Sequence, residues 1–383
     1  MLIYMVGVRP FNCPASGNMG NKILIIATGG TIASVASEQG LTPGLSGEIL
    51  KEKLLDKERF PGVQIDTLQL MNLDSTDVYP EEWCKMREAI LCNYDKYDGF
   101  VVLHGTDSLA FTASALSLVF PLSKPIILTG SMKTVDEEDS DAKKNFNNAI
   151  NFAMSPLKGV YVDIFEDPIP GDRVTKISTN TEKAFKGRNW TFKDPMHTAY
   201  SNDHVKYGEL LPDAYSNIPG NFDDRVISIP IIPGLSSDML EYACERPKGV
   251  ILEVMGAGGI PTRLLESVKK IAAEKPVLLI AQVYEGGLNL NEYAVGQNAI
   301  RAGVIDGKDL TREAAITRLM WALAYTSDLN MIKEIIEKGK SFIVDAYLKP
   351  YNTSYLRQEG YQQEIAMPSS AFVNLLKKQK VTD

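Results

Sequence analysis

The stretch Ile23–Ser34, "ILIIATGGTIAS", decides how the chain is read. Ile23 through Ala27 form an unbroken aliphatic run, the mark of a strand covered on both faces inside a parallel sheet. The run stops abruptly at Thr28, Gly29, Gly30 and Thr31. Adjacent glycines admit backbone angles that other residues resist, so a tight turn follows the strand. Two readings of that turn stand side by side. In one, the glycines only redirect the chain and the threonines are incidental. In the other, the turn presents Thr31 as a hydroxyl nucleophile, with bare glycine amides facing a developing oxyanion.

Working outward, the same alternation recurs. Apolar runs at Ile23–Thr28, Gly99–His104, Pro125–Thr129 and Gly159–Ile164 read as buried strands. Between them lie "PEEWCKMREAILCNYDKY" and "DAKKNFNNAINFAMS"; in the first, Trp83, Met86 and Ile90 recur at helical spacing and Pro80 marks the first turn. From Pro195 to Asp224 the periodicity fails amid Pro, Gly, Asn and Tyr. A second alternating block follows in "RVISIPIIPG", "GVILEVMGAGG" and "PVLLIAQV", and "LTREAAITRLMWALAY" closes it as an amphipathic helix capped by Thr311.

This pattern predicts an α/β protein of two domains, the larger N-terminal one built on a mostly parallel sheet and the smaller C-terminal one on a parallel sheet flanked by helices. The expected divisions are a leader over 1–21, a catalytic domain over 22–205, a connection over 206–225, a second domain over 226–347 and an extension over 348–383 with one short helix. The leader has no basic stretch ahead of its apolar patch and is broken at Arg9-Pro10, so it does not read as a secretory signal; Met19 stands where an alternative start would fall.

Composition narrows the function. A chain of 383 residues with 44% hydrophobic and 23% charged side chains has the make-up of a soluble globular protein. A net charge of −8 gives no basic footprint for nucleic acid. No apolar run approaches the roughly 18–20 residues that span a bilayer. Cys13, Cys84, Cys92 and Cys244 lack C-x-x-C spacing and read as free thiols in a reducing cytoplasm. His104, His197 and His204 are too scattered for a metal cluster, so no metal and no cofactor is assigned.

In open α/β sheets, ligands bind beyond the carboxyl ends of the strands. Those ends carry "ATGGT", "NLDSTDV", "HGTDS" and "TGSMK". In "HGTDS", Thr106 and Asp107 set a hydroxyl beside a carboxylate; the competing reading makes either one the N-cap of the following helix, with His104 a packed residue. A hydroxyl needs a base, and histidine is scarce here, so Lys176 of "RVTK" is the better candidate, held among partners such as Thr106 and Asp107. "GLSGE" at Ser46 and "PGLSSD" at Ser236 lack the second glycine of a G-x-S-x-G elbow. "GAGGIP" at Gly256 reads as a strand-to-helix turn, and no dinucleotide or phosphate loop is present.

Taken together, "ATGGTIAS" and "GFVVLHGTDSLAFTASALS", with "DSTDVYPEEW" between them and "RVTK", "PGLSSDML" and "AGVIDGKDLTREAAITRL" after them, resemble the bacterial-type L-asparaginases, most closely the cytoplasmic type I branch. The likeness runs from about Ile23 to the region of Met331. It implies that Thr31 is the primary nucleophile and Thr28 a supporting residue. It places Thr106, Asp107 and Lys176 in a second catalytic group, and Asp74, Ser75 and Thr76 on the loop that holds the substrate's α-carboxylate and α-ammonium, with Thr106 and Asp107 also at the substrate. The implied reaction is hydrolysis of asparagine to aspartate and ammonia through an acyl-enzyme, with minor action on glutamine, no cofactor, and a homodimer or homotetramer.

Three places depart from the family pattern. Leu41 stands where many relatives carry a lid tyrosine, and Tyr293 in "NEYAVGQN" is assigned the assisting role instead. Glu253 and Val283 occupy the positions where some type I enzymes use an arginine and a cysteine to bind regulatory asparagine, which argues against that control here. The C-terminal extension reaches beyond typical relatives. Two alternatives accompany the main reading: the amidase subunit of a tRNA-dependent amidotransferase, for whose extra N-terminal domain the residues before Ile23 leave little room, and a non-catalytic amino-acid-binding protein on the same fold.

Overall fold

The strands gather into two larger sheets and two antiparallel pairs, and the first sheet is ordered by the burial of its central strand. The computed structural model describes residues 21–38, 40–121, 123–165, 167–191 and 215–348. The leader up to residue 20, residues 206–214 of the connection, the extension from 349, and Cys13, His197 and His204 lie outside them.

Along the first domain run β1 (Lys22–Gly29), the hairpin β2 (Ser34–Ser37) and β3 (Gly40–Pro43), α1 (Gly47–Leu54), β4 (Gln64–Leu73), α2 (Pro80–Leu91), β5 (Gly99–Leu103), α3 (Leu109–Val119), β6 (Ile126–Thr129), α4 (Ala142–Ala153), β7 (Val160–Val162) and β8 (Ile169–Pro170). They form a sheet in the order β4-β1-β5-β6-β7-β8, in which only β8 runs antiparallel to its neighbour. Side chains of β1 alternate between faces. Ile23 and Ile25 pack with Leu50, Leu54, Phe146 and Ile150 of α1 and α4. Leu24 and Ile26 pack on the other side with Met86, Ile90, Leu109 and Leu116 of α2 and α3. Burying one such side chain is worth about 1.5–3 kcal/mol, and a strand covered on both faces collects that at every position.

A separate antiparallel pair, β9 (Val174–Lys176) and β10 (Phe185–Gly187), projects beside the sheet. The second domain carries β11 (Val226–Pro230), α5 (Ser237–Ala243), β12 (Gly249–Val254), α6 (Leu265–Glu274), β13 (Val277–Ala281), α7 (Ala294–Arg301), β14 (Ile305–Asp306), α8 (Arg312–Tyr325), α9 (Leu329–Lys338) and α10 (Lys340–Ile343). Its four strands are all parallel, in the order β11-β12-β13-β14. Thr311 caps α8 as the sequence predicts, its side chain accepting the Ala314 N–H. The helices α9 and α10 extend the domain beyond the segment read as its close.

The two domains share one apolar cluster, in which Leu319, Trp321 and Ala322 of α8 pack with the residues of α3. Ser114 and Thr317 exchange a buried 2.9 Å hydroxyl bond across that seam. The second domain is therefore a wall against which the first is braced.

The strand expected over Gly159–Ile164 is shorter, Val160–Val162. The chain turns away at Phe165, which adopts φ 94, a strained conformation for a bulky residue. Between them Asp163 is fully buried, with neither carboxyl oxygen hydrogen-bonded among the described residues. Burial, reinforced by repulsion from Asp167, pushes its pKa up to about 8 against the pull of Lys144 and Arg59. The folded chain thus holds this proton to higher pH than the unfolded chain, whose carboxyl titrates near 3.8. The stabilising contribution is complete below that value and is lost as pH rises through about 8. Between pH 6 and pH 8.5 it should lower the unfolding free energy by about 2–3 kcal/mol. In Asp163→Asn, unfolding midpoints at the two pH values should therefore differ less than in the parent chain; an equal difference in both would show that the carboxyl is already ionised.

Candidate active site

Of the four strand ends named above, "NLDSTDV", "ATGGT" and "HGTDS" belong to β4, β1 and β5, which are neighbours in the sheet with β1 in the middle. The chain leaves β1 towards β4 on one side and crosses back to β5 on the other. Such a reversal opens a crevice at the carboxyl ends of the strands, where α/β proteins bind ligands.

Glycines let the three turns touch. Gly30 has φ 80, and a Cβ added to it would lie 2.2 Å from the Gly105 Cα. A Cβ on Gly105 would in turn lie 2.6 Å from Ser75 Oγ. Gly29, at φ 111, leaves no room for a Cβ against the Leu73 carbonyl. The Gly30 N–H donates to Leu73 O at 3.0 Å. That bond corrects one expectation, since this glycine amide is committed to the neighbouring strand end and is not free to face an oxyanion.

Thr31 opens a short 3-10 turn, Thr31–Ala33, anchored by buried Ile32 and Ala33. Thr31 itself is half-buried. Thr28 is buried and donates to Leu103 O at 2.7 Å, which ties β1 to β5. Asp74 and Thr76 are exposed; Asp74 Oδ1 accepts both the N–H and the hydroxyl of Thr76, at 2.9 and 2.8 Å. Ser75 is buried under the next turn, where its Oγ accepts the Asp107 N–H at 3.2 Å and its carbonyl accepts the Ser108 hydroxyl at 2.5 Å.

Lys176 ends β9 and reaches across to the β5 turn. Its Nζ donates to Thr106 Oγ1 at 2.8 Å and to Asp107 Oδ1 at 2.7 Å. The lysine side chain is 17% exposed and that of Asp107 is 59% exposed, so the carboxylate faces the crevice while the lysine sits behind it. Neither Thr106 nor Asp107 caps the following helix: α3 begins after Ser108, and no side-chain cap bond is made there. The capping alternative for "HGTDS" is set aside, because these two side chains are turned to Lys176 instead.

His104 is a packed residue. It is wholly buried, with Nδ1 2.7 Å from Gly105 O and Nε2 3.0 Å from Thr112 Oγ1. Trp83 Nε1 donates to the same hydroxyl at 3.1 Å. Burial lowers the imidazole to about 4, so it is neutral at pH 7, donating from Nδ1 to the Gly105 carbonyl and accepting at Nε2 from Thr112. This relay braces the Gly105–Thr106 peptide. Only the apolar spacing of Trp83 hinted at it in the sequence.

Other sequence candidates lie apart. Tyr293 precedes α7, 54% exposed, and no hydrogen bond joins it to Thr31, Thr106 or Lys176 among the described residues. Leu41 is exposed on β3. Glu253 is buried on β12; although burial alone would raise its carboxyl, Arg312 and Ser228 hold it below the ordinary range. Val283 is exposed beyond β13. The turn at "GAGGIP" is a strand-to-helix connection as expected, with Gly256, Gly258 and Gly259 all at positive φ.

The crevice of this α/β protein thus holds Thr106, Asp107 and Lys176 in one hydrogen-bonded group beside the turn that carries Thr31. Residues 22–207 match the family profile "Asparaginase, N-terminal", and residues 225–336 match "Glutaminase/Asparaginase C-terminal domain". L-asparaginase from Thermococcus kodakarensis is 39% identical over 83% of this chain and 97% of its own length; the solved structure of the thermostable L-asparaginase from that organism superposes with a TM-score of 0.75 at 38% identity, covering 83% of this chain and 98% of that one. L-asparaginase 1 from Escherichia coli K12 is 32% identical over 83% of this chain and 96% of its length. A glutamyl-tRNA(Gln) amidotransferase subunit from Pyrococcus furiosus is 30% identical over 86% of this chain and 78% of its length. The chain belongs to the asparaginase family.

The contact between Gly30 and Gly105 is testable on its own. Gly30→Ala combines a strained φ with a clash against backbone and should cost about 2–4 kcal/mol in urea unfolding. Unchanged stability would show that the two turns do not meet.

Proposed function

We propose that the chain hydrolyses L-asparagine to L-aspartate and ammonia, with minor action on glutamine. The observation that carries this reading is the bridge from Lys176 Nζ to both Thr106 and Asp107, set against the Gly30–Gly105 contact that carries Thr31 to the same crevice. The named relatives support the substrate.

Thr31 Oγ attacks the side-chain amide carbon, forming an ester as the C–N bond breaks and ammonia departs with the hydroxyl proton. Water then cleaves the ester and restores Thr31. The Thr31 and Ile32 N–H groups, first in the 3-10 turn, make no hydrogen bond to another loop among the described residues and are the donors left for the oxyanion. Asp107 pairs with the substrate ammonium, and Ser75 with Asp74 and Thr76 holds the α-carboxylate end. Lys176 gives a proton to the departing ammonia and, as the ester is cleaved, regains one through Thr106, which takes it from the attacking water. No step is routed through Tyr293, which no hydrogen bond connects to these groups among the described residues.

We place the reaction in the cytoplasm, where the free thiols of Cys84, Cys92 and Cys244 persist, and in a homodimer or homotetramer. Exposed Ile232, Met239, Tyr242 and Met255 on the second domain supply apolar surface for such an assembly.

Ammonia release from asparagine should fall at least about 10³-fold in kcat for Thr31→Ala and for Lys176→Met. Retention of full activity in both would contradict the mechanism. Ammonia release that requires tRNA and a partner chain would favour the amidotransferase reading, and absence of turnover with intact amino-acid binding would favour a binding protein.

A further inference from the structure

The lysine at the centre of this site stands on a short strand outside the main sheet of the first domain. β9 has three residues and belongs to neither large sheet; among the described residues its ladder partner is β10 alone. A strand so short does not set its own rotation, yet that rotation decides where Lys176 points.

Side chains alternate across a strand, so Thr175 faces away from Lys176. In the β9–β10 register, Thr175 lies opposite Lys186 and Lys176 lies opposite Phe185. Both members of the Thr175–Lys186 pair reach the second domain. Lys186 Nζ meets Glu285 at 2.7 Å, but both side chains there are exposed, and such pairs contribute little. Thr175 Oγ1 donates to Glu313 Oε1 at 2.6 Å. Glu313 is the second residue of α8 and is 8% exposed. Its other oxygen, Oε2, is buried with no hydrogen-bond partner among the described residues. A buried carboxyl with one of its oxygens unsatisfied is costly to keep. Burial accordingly raises its titration point, against Thr175 as the first opposing influence.

We propose that Glu313 is a positioning residue: through the Thr175 hydroxyl it fixes the face of β9, and thereby aims Lys176 at Thr106 and Asp107. The second domain thus contributes to catalysis through one hydrogen bond to the residue beside the lysine. This inference rests on the asparaginase reading above, in which Lys176 serves the reaction.

The test is steady-state asparagine hydrolysis by the full chain. Thr175→Val keeps the β-branched shape and removes the donor; Glu313→Ala removes the acceptor. Each should lower kcat on the order of 10-fold with KM within about 2-fold, as a small misplacement of a catalytic group does. Thr175→Ser and Glu313→Gln preserve the bond and should restore kcat. In a Lys176→Met background, Thr175→Val should have no further effect, because the group it aims is gone. Wild-type kcat in Thr175→Val beside an impaired Lys176→Met would overturn the positioning role alone. So would multiplicative losses in the double variant, or a parallel fall in kcat and thermal stability that Thr175→Ser does not repair. Full activity in Lys176→Met would overturn the asparaginase mechanism, and this inference with it.

Discussion

Everything in this site depends on two backbones lying closer than side chains allow. Gly30 and Gly105 meet where any Cβ would strike main-chain atoms, and Ser75 closes on Gly105 from the other side. The sheet sets this up, because β4, β1 and β5 are adjacent and parallel, so their carboxyl ends lie on one side. Three turns that would otherwise be separated by side-chain layers become one surface. Thr31, Ser75, Thr106 and Asp107 lie together at that surface.

Two supports hold that surface from behind. Beneath the β5 turn, buried His104 links Thr112 to the Gly105 carbonyl, with Trp83 on the same hydroxyl. A charged imidazole could not accept at Nε2, so the neutral form that burial enforces is also the one the relay needs. Beside the crevice, β9 brings Lys176 in from outside the main sheet, and its other face is tied to α8. The shared core between α3 and α8 keeps these supports in one rigid frame.

Much of this was legible in the sequence, for a physical reason. "ATGGT" and "HGTDS" announce their strand ends locally, through aliphatic runs that terminate in glycine and hydroxyl residues. The amphipathic spacing of Trp83, Met86 and Ile90 located their buried face. What stayed hidden was whatever depends on partners distant along the chain. The commitment of the Gly30 amide to Leu73 follows from the β1–β4 register, and the bond from Thr175 to Glu313 joins residues 138 positions apart. The capping reading of Thr106 and Asp107 likewise could not be set aside from the sequence, because Lys176, which bonds both side chains, lies 70 and 69 positions further along. Composition could not reveal that the Asp163 carboxyl lies buried with neither oxygen hydrogen-bonded among the described residues, since nothing local distinguishes it from a solvated aspartate.

The central claim is that the glycine turn exists to offer Thr31 to the substrate. The most direct measurement is peptide mapping of enzyme quenched in acid during turnover of asparagine, where an ester to the aspartyl group survives. The account predicts that the adduct lies on the peptide containing Thr31 and disappears in Thr31→Ala. An adduct on Thr106, or full turnover with no adduct on either threonine, would contradict it.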